Sequence, residues 1–234
     1  NIRVTGAGRD ATIIDANGID RVFDVSAPAI IEQLTITGGD APTGEDGGGI
    51  RVTNGSQVAP VYRTLRLFDL GIYGNSSTGD GGGIAADSLE YFIKLVYSEI
   101  YQNSASNGGG ISENEAKVGI RETYIHDNLA VSNGGGIHHQ GDKYLEVSLV
   151  QSTIANNYAE NGVGIYFTNS NGYYYTYNST ISGNNANVNG GGIYVDTSTL
   201  LTFHSTITNN TSDADNSGTG DGGGVYVNEE VYIP

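Results

Sequence analysis

Short runs of alternating hydrophobic and polar residues recur along this chain at a near-constant interval. The runs are rich in Val, Ile, Thr, Tyr and Phe and are bounded by Gly, Asn, Asp and Ser, which is the pattern of β-strands joined by turns. No segment keeps apolar residues for long at the spacing of an amphipathic helix. The pattern therefore predicts an all-β protein.

A GGGI motif, or a near-copy of it, occurs seven times, each time after a polar turn. The copies end at Ile50, Ile84, Ile111, Ile137, Ile165, Ile193 and Val225. The steps between these end residues are 34, 27, 26, 28, 28 and 32. A fixed period of about 20–50 residues is typical of stacked repeat architectures. Because strands rather than helices fill each repeat, one repeat is predicted to be one coil of a β-solenoid.

An asparagine column keeps register with the GGGI motifs. Its members each lie three residues after an isoleucine, and they are Asn75, Asn103, Asn128, Asn157, Asn184 and Asn210. In the first repeat, Gly39 stands at the place of the asparagine after Ile36. Side-chain amides at one place in successive coils can bond to one another, as in cross-β ladders. The column therefore predicts an internal structural ladder.

Apolar residues at and before each column isoleucine follow a spacing of two, three and two, as in Leu65, Leu67, Leu70 and Ile72. Since every second side chain of a strand points to one face, this spacing predicts two short strands with a bend between them. A third strand begins at each GGGI, whose glycines suit a tight corner. We expect a right-handed parallel β-helix of about eight coils of 25–34 residues, because crossovers between parallel strands favour that hand.

The repeats extend over nearly the whole chain, so residues 1–234 are interpreted as one β-helix domain. Its parts are N-terminal coils at 1–40, GGGI repeat coils at 41–227, and the start of a final coil or a truncated end at 228–234. The terminal segments Ile2–Val4 and Val231–Ile233 are rich in β-formers and have no evident cap. Uncapped strand edges favour head-to-tail stacking of copies.

The chain is strongly acidic, with 26 Asp and Glu against 10 Lys and Arg and a formal net charge of −16. All the Lys and Arg lie at or before Lys143. Such a surface disfavours nucleic acid as a partner, and it suits an extracellular protein in salt. The absence of cysteine excludes disulfides and thiol chemistry. No hydrophobic run reaches the roughly 18 residues of a membrane-spanning helix.

The combination of an isoleucine three residues before an asparagine, a small residue, and then GGGI resembles the right-handed parallel β-helix repeats of bacterial surface proteins. It is especially similar to the polymorphic outer-membrane protein type, whose repeats pair a GGA[ILV] motif with F-x-x-N. Here glycine stands in place of the alanine, and isoleucine in place of the phenylalanine. The resemblance covers nearly the whole chain and implies this fold in an extracellular or cell-surface setting. It leaves activity open, because the same fold also hosts polysaccharide lyases and hydrolases.

An acid and a base share one inward column, since Glu113 and His139 each lie two residues after a GGGI isoleucine in adjacent coils. Three interpretations are open: the strand ends early there, which we favour, or the two residues form a buried structural pair, or they form a catalytic pair. His126 and His138 are expected to be solvated, and His204 to lie on an outward threonine-rich face. Apart from the adjacent His138 and His139, the histidines lack the clustering of a metal site.

Tyrosine occupies the outward position after the GGGI isoleucine in the C-terminal coils, at Tyr166, Tyr194 and Tyr226. Rings at coil spacing stabilise a solenoid face by stacking. They also suit contacts with sugar rings or with a neighbouring subunit.

Ligand and modification sites are sparse. Turn acids are usually solvated, yet two acidic turns are candidates for calcium, namely Asp40/Glu45/Asp46 and Asp213/Asp215/Asp221. No other cofactor is expected. Candidate glycosylation sequons begin at Asn54 and Asn178.

We therefore expect a non-catalytic structural or adhesive solenoid. Its expected partners are surface glycans or further copies of the chain, and the copies could stack end to end into a filament. A carbohydrate-active enzyme of the same fold is the alternative.

Overall fold

A computed structural model describes residues 2–53, 63–87, 91–141, 146–168 and 172–228. Within these ranges the chain forms strands, numbered β1 to β26 along the sequence, and no helix. The strands pair in parallel and stack as a β-solenoid of about 7 turns. This confirms the all-β solenoid predicted from the repeats.

The largest sheet, called the long sheet, contains the two strands that precede the asparagine ladder in each coil. Its 14 strands are β1 (Ile2–Thr5), β2 (Ile13–Asp15), β4 (Ala29–Thr37), β6 (Arg63–Tyr73), β8 (Tyr91–Val96), β9 (Glu99–Tyr101), β12 (Lys117–Arg121), β13 (Tyr124–His126), β16 (Glu146–Val150), β17 (Thr153–Ala155), β20 (Tyr173–Tyr177), β21 (Thr180–Ser182), β24 (Thr199–Phe203) and β25 (Thr206–Thr208). In each of β4 and β6, the two predicted strands form one continuous strand. Because β6 pairs with both β8 and β9, the two separate columns of later strands belong to one sheet.

Two smaller sheets close each coil. The short sheet follows the asparagine ladder and contains β10 (Ser104–Asn107), β14 (Leu129–Asn133), β18 (Tyr158–Ala159) and β22 (Asn185–Ala186). The GGGI sheet contains β3 (Phe23–Val25), β5 (Ile50–Thr53), β7 (Ile84–Asp87), β11 (Ile111–Asn114), β15 (Ile137–Gln140), β19 (Ile165–Thr168), β23 (Ile193–Val195) and β26 (Val225–Val227). This sheet has 8 strands, and the solenoid makes about 7 turns where the sequence predicted about eight coils.

The core is a continuous column of aliphatic side chains between the sheets. Leu65, Leu67, Leu70 and Ile72 have no exposed surface, as the two-three-two spacing predicted. Ile72 pairs with Ile100 of the next coil, so that like residues stack on like. Each fully buried aliphatic side chain stabilises the fold by about 1.5–3 kcal/mol.

One left-handed residue makes the bend between the two long-sheet strands of each coil. These residues, called the bend column, are Gln33, Asp69, Tyr97, Glu122, Gln151, Asn178 and His204, with φ between 48° and 57°. Such a backbone costs a residue other than glycine about 1–2 kcal/mol, least for Asn and Asp. The repeated cost indicates that packing of the coils, rather than local preference, fixes the bend.

The glycines of the GGGI motif serve two different needs. The first glycine of a copy, such as Gly108, has a positive φ of 62° and makes the corner. The third, such as Gly110, is required by close packing, because a Cβ there would lie 2.6 Å from the carbonyl oxygen of Gly136 in the next coil. An alanine at this place, as in a GGA motif, would therefore clash with the next coil.

Candidate functional site

The six asparagines of the sequence column form one continuous hydrogen-bonded ladder inside the solenoid. In each step from Asn75 to Asn210, an Nδ2 group donates to the Oδ1 atom of the next asparagine at 2.9–3.1 Å. The same Nδ2 groups donate to isoleucine carbonyls of the preceding coil at 2.9–3.3 Å. At the N-terminal end, the Gly39 N–H donates to Asn75 Oδ1 at 2.9 Å. Because internal bonds use the amides, the ladder fits a structural role.

A second ladder, which the sequence analysis missed, follows the bend column. Its hydroxyl side chains are those of Ser98, Thr123, Ser152, Ser179 and Ser205. Each hydroxyl accepts an N–H from the coil before at 3.1–3.4 Å. Each also donates to the carbonyl two residues earlier at 2.8–3.0 Å. The sequence signal is a hydroxyl that recurs at one position in successive coils.

Glu113 and His139 lie side by side inside the core. They are register partners on β11 and β15, they are 1% and 0% exposed, and His139 Nδ1 contacts Glu113 Oε1. The interpretation favoured from sequence, that the strands end before these residues, is wrong. Both strands continue to Asn114 and Gln140 and keep the two side chains inward, because the pairing with neighbouring coils holds the strand extended.

Burial dominates the electrostatics of this pair. Burial raises the pKa of the Glu113 carboxyl, and the adjacent His139 and the Ala116 N–H offset that rise only in part. The ring of Tyr174 meets the imidazole edge-on at 5.1 Å. Among the described residues, Glu113 Oε2 and His139 Nε2 have no hydrogen-bond partner. Since neither atom reaches solvent, a polysaccharide cannot contact the pair in this conformation.

The other histidines differ in their exposure. His138, expected to be solvated, is only 4% exposed. Its Nδ1 lies 3.2 Å from Ser112 Oγ. Burial, helped by His139, lowers the pKa of His138 to about 4. His126 is half-buried and lies between carboxylates of adjacent coils, whereas His204 is exposed.

The three outward tyrosines of the C-terminal coils form a stack, called the tyrosine column. Tyr166 and Tyr194 have ring centroids 4.6 Å apart at an interplanar angle of 19°, and Tyr194 and Tyr226 are 5.0 Å apart at 27°. His138 extends the stack by one ring, at 5.5 Å from Tyr166. The tyrosines are half-buried, and burial, with a smaller effect of Tyr166, raises the pKa of Tyr194 to about 12. Tyr166 and Tyr194 therefore stay uncharged at physiological pH.

The N-terminal acidic turn is engaged within the protein. Glu45 Oε2 receives Arg51 Nη1 at 2.8 Å and also contacts Arg21. Asp40 accepts the hydroxyl of Ser76 at 2.7 Å. These contacts occupy part of the acceptor capacity that calcium would need.

The C-terminal acidic turn folds around Asp213. Its Oδ1 accepts the Gly218 N–H at 2.9 Å and the Ser217 hydroxyl at 3.2 Å. The Gly218 N–H is the main reason why the pKa of Asp213 is lowered. The described residues contain no group of three or more His, Asp or Glu side chains arranged to hold a metal ion. Calcium binding at either turn stays a prediction.

Only one of the two sequon asparagines lies within the described residues. Asn54 lies outside the described residues. Asn178 is exposed and belongs to the bend column, with a φ of 49°. The segment 229–234, which includes Val231–Ile233, also lies outside the described residues. No helix in the described part of the chain has the length and apolar character needed to cross a membrane.

Comparisons with known proteins identify no relative, since no protein-family model, curated protein or solved structure matches the chain. The fold is therefore established by the structure, and the likeness to outer-membrane repeats remains a resemblance of motifs.

Proposed function

We propose that this chain is a non-catalytic structural and adhesive β-solenoid of the extracellular space, with the tyrosine column as a contact surface for glycans. The observation that carries the proposal is the column itself. Tyr166, Tyr194 and Tyr226 keep aromatic surface partly open on one face of the GGGI sheet. Aromatic side chains with a polar hydroxyl are enriched at binding surfaces because one ring offers both apolar area and a hydrogen bond.

The setting of the tyrosine column suits an uncharged ligand. All Lys and Arg of the chain lie at or before Lys143, so the C-terminal coils offer no cation to an acidic polymer. Stacking between coils already holds the rings in place, so that binding costs little side-chain entropy. The absence of cations favours neutral sugar rings over anionic ones.

The buried Glu113–His139 pair supports a non-catalytic role. It is the acid–base pair that the sequence offered for an enzyme, and the core encloses it. A general acid or base has to come within hydrogen-bond reach of its substrate. The enzyme alternative therefore lacks its proposed residues.

An adhesion assay tests this proposal. Immobilised wild-type chain, Tyr194→Ala, and the control Tyr175→Ala on the long sheet are presented with a panel of neutral and acidic polysaccharides. We expect the wild type and the control to retain a neutral polysaccharide and Tyr194→Ala to lose roughly tenfold in affinity. Release of reducing ends or unsaturated products that Glu113→Gln or His139→Ala abolishes would overturn the non-catalytic proposal.

End-to-end association is a second part of the proposal. Among the described residues, β1 and β2 at one end and β24 and β25 at the other pair on one side only. Open strand edges of this kind template further strands. Light scattering and electron microscopy of the purified chain should reveal linear assemblies that lengthen with concentration, and a monomer at every concentration contradicts this part.

A further inference from the structure

An open groove of about 560 Å³ runs outside the bend column. Its floor is formed by Asp69, Tyr97, Glu122 and Gln151, which come from successive coils and all have left-handed backbones. The groove lies on the long sheet, whereas the tyrosine column lies on the GGGI sheet. It is therefore a separate surface.

Two tyrosines present exposed rings to this groove. Tyr97 is 47% exposed and Tyr124 is 37% exposed. Tyr97 packs edge-on against Phe68, with ring centroids 5.4 Å apart, and Tyr124 stacks on His126 at 3.8 Å. Tyr97 is also the only aromatic of the bend column besides His204.

The polar lining offers three carboxylates and one guanidinium group. Arg9 Nε lies 3.0 Å from Asp69 Oδ1, and Arg9 Nη1 lies 3.7 Å from Glu99 Oε2. Glu122 Oε1 receives Arg121 Nε at 3.0 Å. Each carboxylate has about four lone-pair sites, so the groove keeps acceptors as well as guanidinium donors for a ligand.

We propose that this groove binds a neutral oligosaccharide. Sugar rings match the lining, because their C–H faces pack on tyrosine while their hydroxyls both donate to carboxylates and accept from Arg9. An anionic sugar would meet three carboxylates in a protein of net charge −16. A cationic ligand would be repelled by Arg9, which lies in the groove and already pairs with the carboxylates of Asp69 and Glu99. This site goes beyond the proposed glycan contact at the tyrosine column and does not depend on it.

Calorimetric titration with four oligosaccharides of equal length tests the assignment. The probes are oligomers of glucose and of N-acetylglucosamine, which are neutral, of glucosamine, which is cationic, and of galacturonate, which is anionic. We expect at least one neutral oligomer to bind with a Kd of about 1 mM or tighter, and both charged oligomers to bind more weakly.

Two variants and one control locate the binding. Tyr124→Ala should weaken it roughly tenfold, and Glu99→Gln should weaken it severalfold, both with unchanged thermal unfolding. Tyr158→Ala removes an exposed tyrosine of the short sheet, outside both the groove and the tyrosine column, and should leave groove binding unchanged. Preference for a charged oligomer, no binding of a neutral oligomer at about 10 mM, or full affinity in Tyr124→Ala would each overturn the proposal.

Discussion

Asn157 exchanges side-chain hydrogen bonds with the coil before it and the coil after it. Its Oδ1 accepts from the backbone and side-chain nitrogens of Asn128, and its Nδ2 donates to Ile125 O and Asn184 Oδ1. The residue has no exposed surface. Buried groups that lose such partners cost about 1–3 kcal/mol each. At the scale of single residues, stability therefore depends on polar groups as much as on the aliphatic core.

Replacing Asn157 by Ala should lower the free energy of unfolding by more than about 2 kcal/mol, because donors of Asn128 and the carbonyl of Ile125 are left unsatisfied. Denaturant unfolding measures the change. The control is Asn185→Ala, since the side chain of half-buried Asn185 donates, among the described residues, only to the nearby Gly183 carbonyl at 3.1 Å. Equal losses in both variants would contradict a special role of the ladder.

His138 should make the protein sensitive to acid. The pKa of His138 is lowered from 6.5 to about 4 in the folded state, so the unfolded chain binds a proton more readily in this window. Stability contributed by the neutral imidazole is present above pH 6.5 and is lost as the pH falls towards 4, by up to about 3 kcal/mol.

Unfolding of the wild type and His138→Gln across pH 4 to 7 isolates this contribution. Glutamine keeps a hydrogen-bonding group near Ser112 and does not titrate. We expect the acid-dependent loss to be smaller in His138→Gln, and identical pH profiles would contradict the prediction.

At the scale of elements, the corner before each GGGI strand packs closely against the adjacent coils. The third glycine lies against a carbonyl oxygen of the next coil, as at Gly83 and Gly110, whereas the second position admits a side chain in one copy, at buried Val163. Some glycines outside the motif have room for a Cβ. Gly119, on the outer face of β12, is an example, since a Cβ there would lie 3.4 Å from the ring of Phe92, an ordinary contact.

Gly110→Ala should destabilise the protein by several kcal/mol, because its Cβ would lie 2.6 Å from the Gly136 carbonyl oxygen and would force two coils apart. Gly119→Ala is the matched control and should be neutral or slightly stabilising, since glycine weakens a strand interior. Thermal unfolding compares the two. A stable Gly110→Ala protein would indicate that the coils can adjust to the GGA form of the related motif.

At the scale of the whole molecule, charge is distributed unevenly along the solenoid. The net charge is −16, and the coils after Lys143 contain acids without any Lys or Arg. Mutual repulsion of this kind weakens the compact state.

Raising NaCl from about 0.01 M to 0.15 M should increase the unfolding midpoint, because the Debye length falls from about 30 Å to 8 Å. Calcium chloride at equal ionic strength should give the same increase. A larger increase that Asp215→Asn abolishes would establish a calcium site at the C-terminal acidic turn, and a lower midpoint in salt would contradict the role of repulsion.

The sequence by itself determined the solenoid, its strand pattern and the positions that stack. Ile72 and Ile100, for example, could be assigned to one inward column because a coil repeats the same local pattern and parallel pairing places like positions together. The asparagine column was readable for the same reason.

Only the tertiary structure decided which side chains meet across coils and how deeply each of them is buried. Glu113 meets His139 over a separation of 26 residues, and the strands continue through both because neighbouring coils hold them. His138 is buried by packing that its own segment does not encode, and the groove at Tyr97 arises from bends of several coils. Burial and contacts between coils are properties of the assembled stack, so the sequence of a single repeat does not specify them.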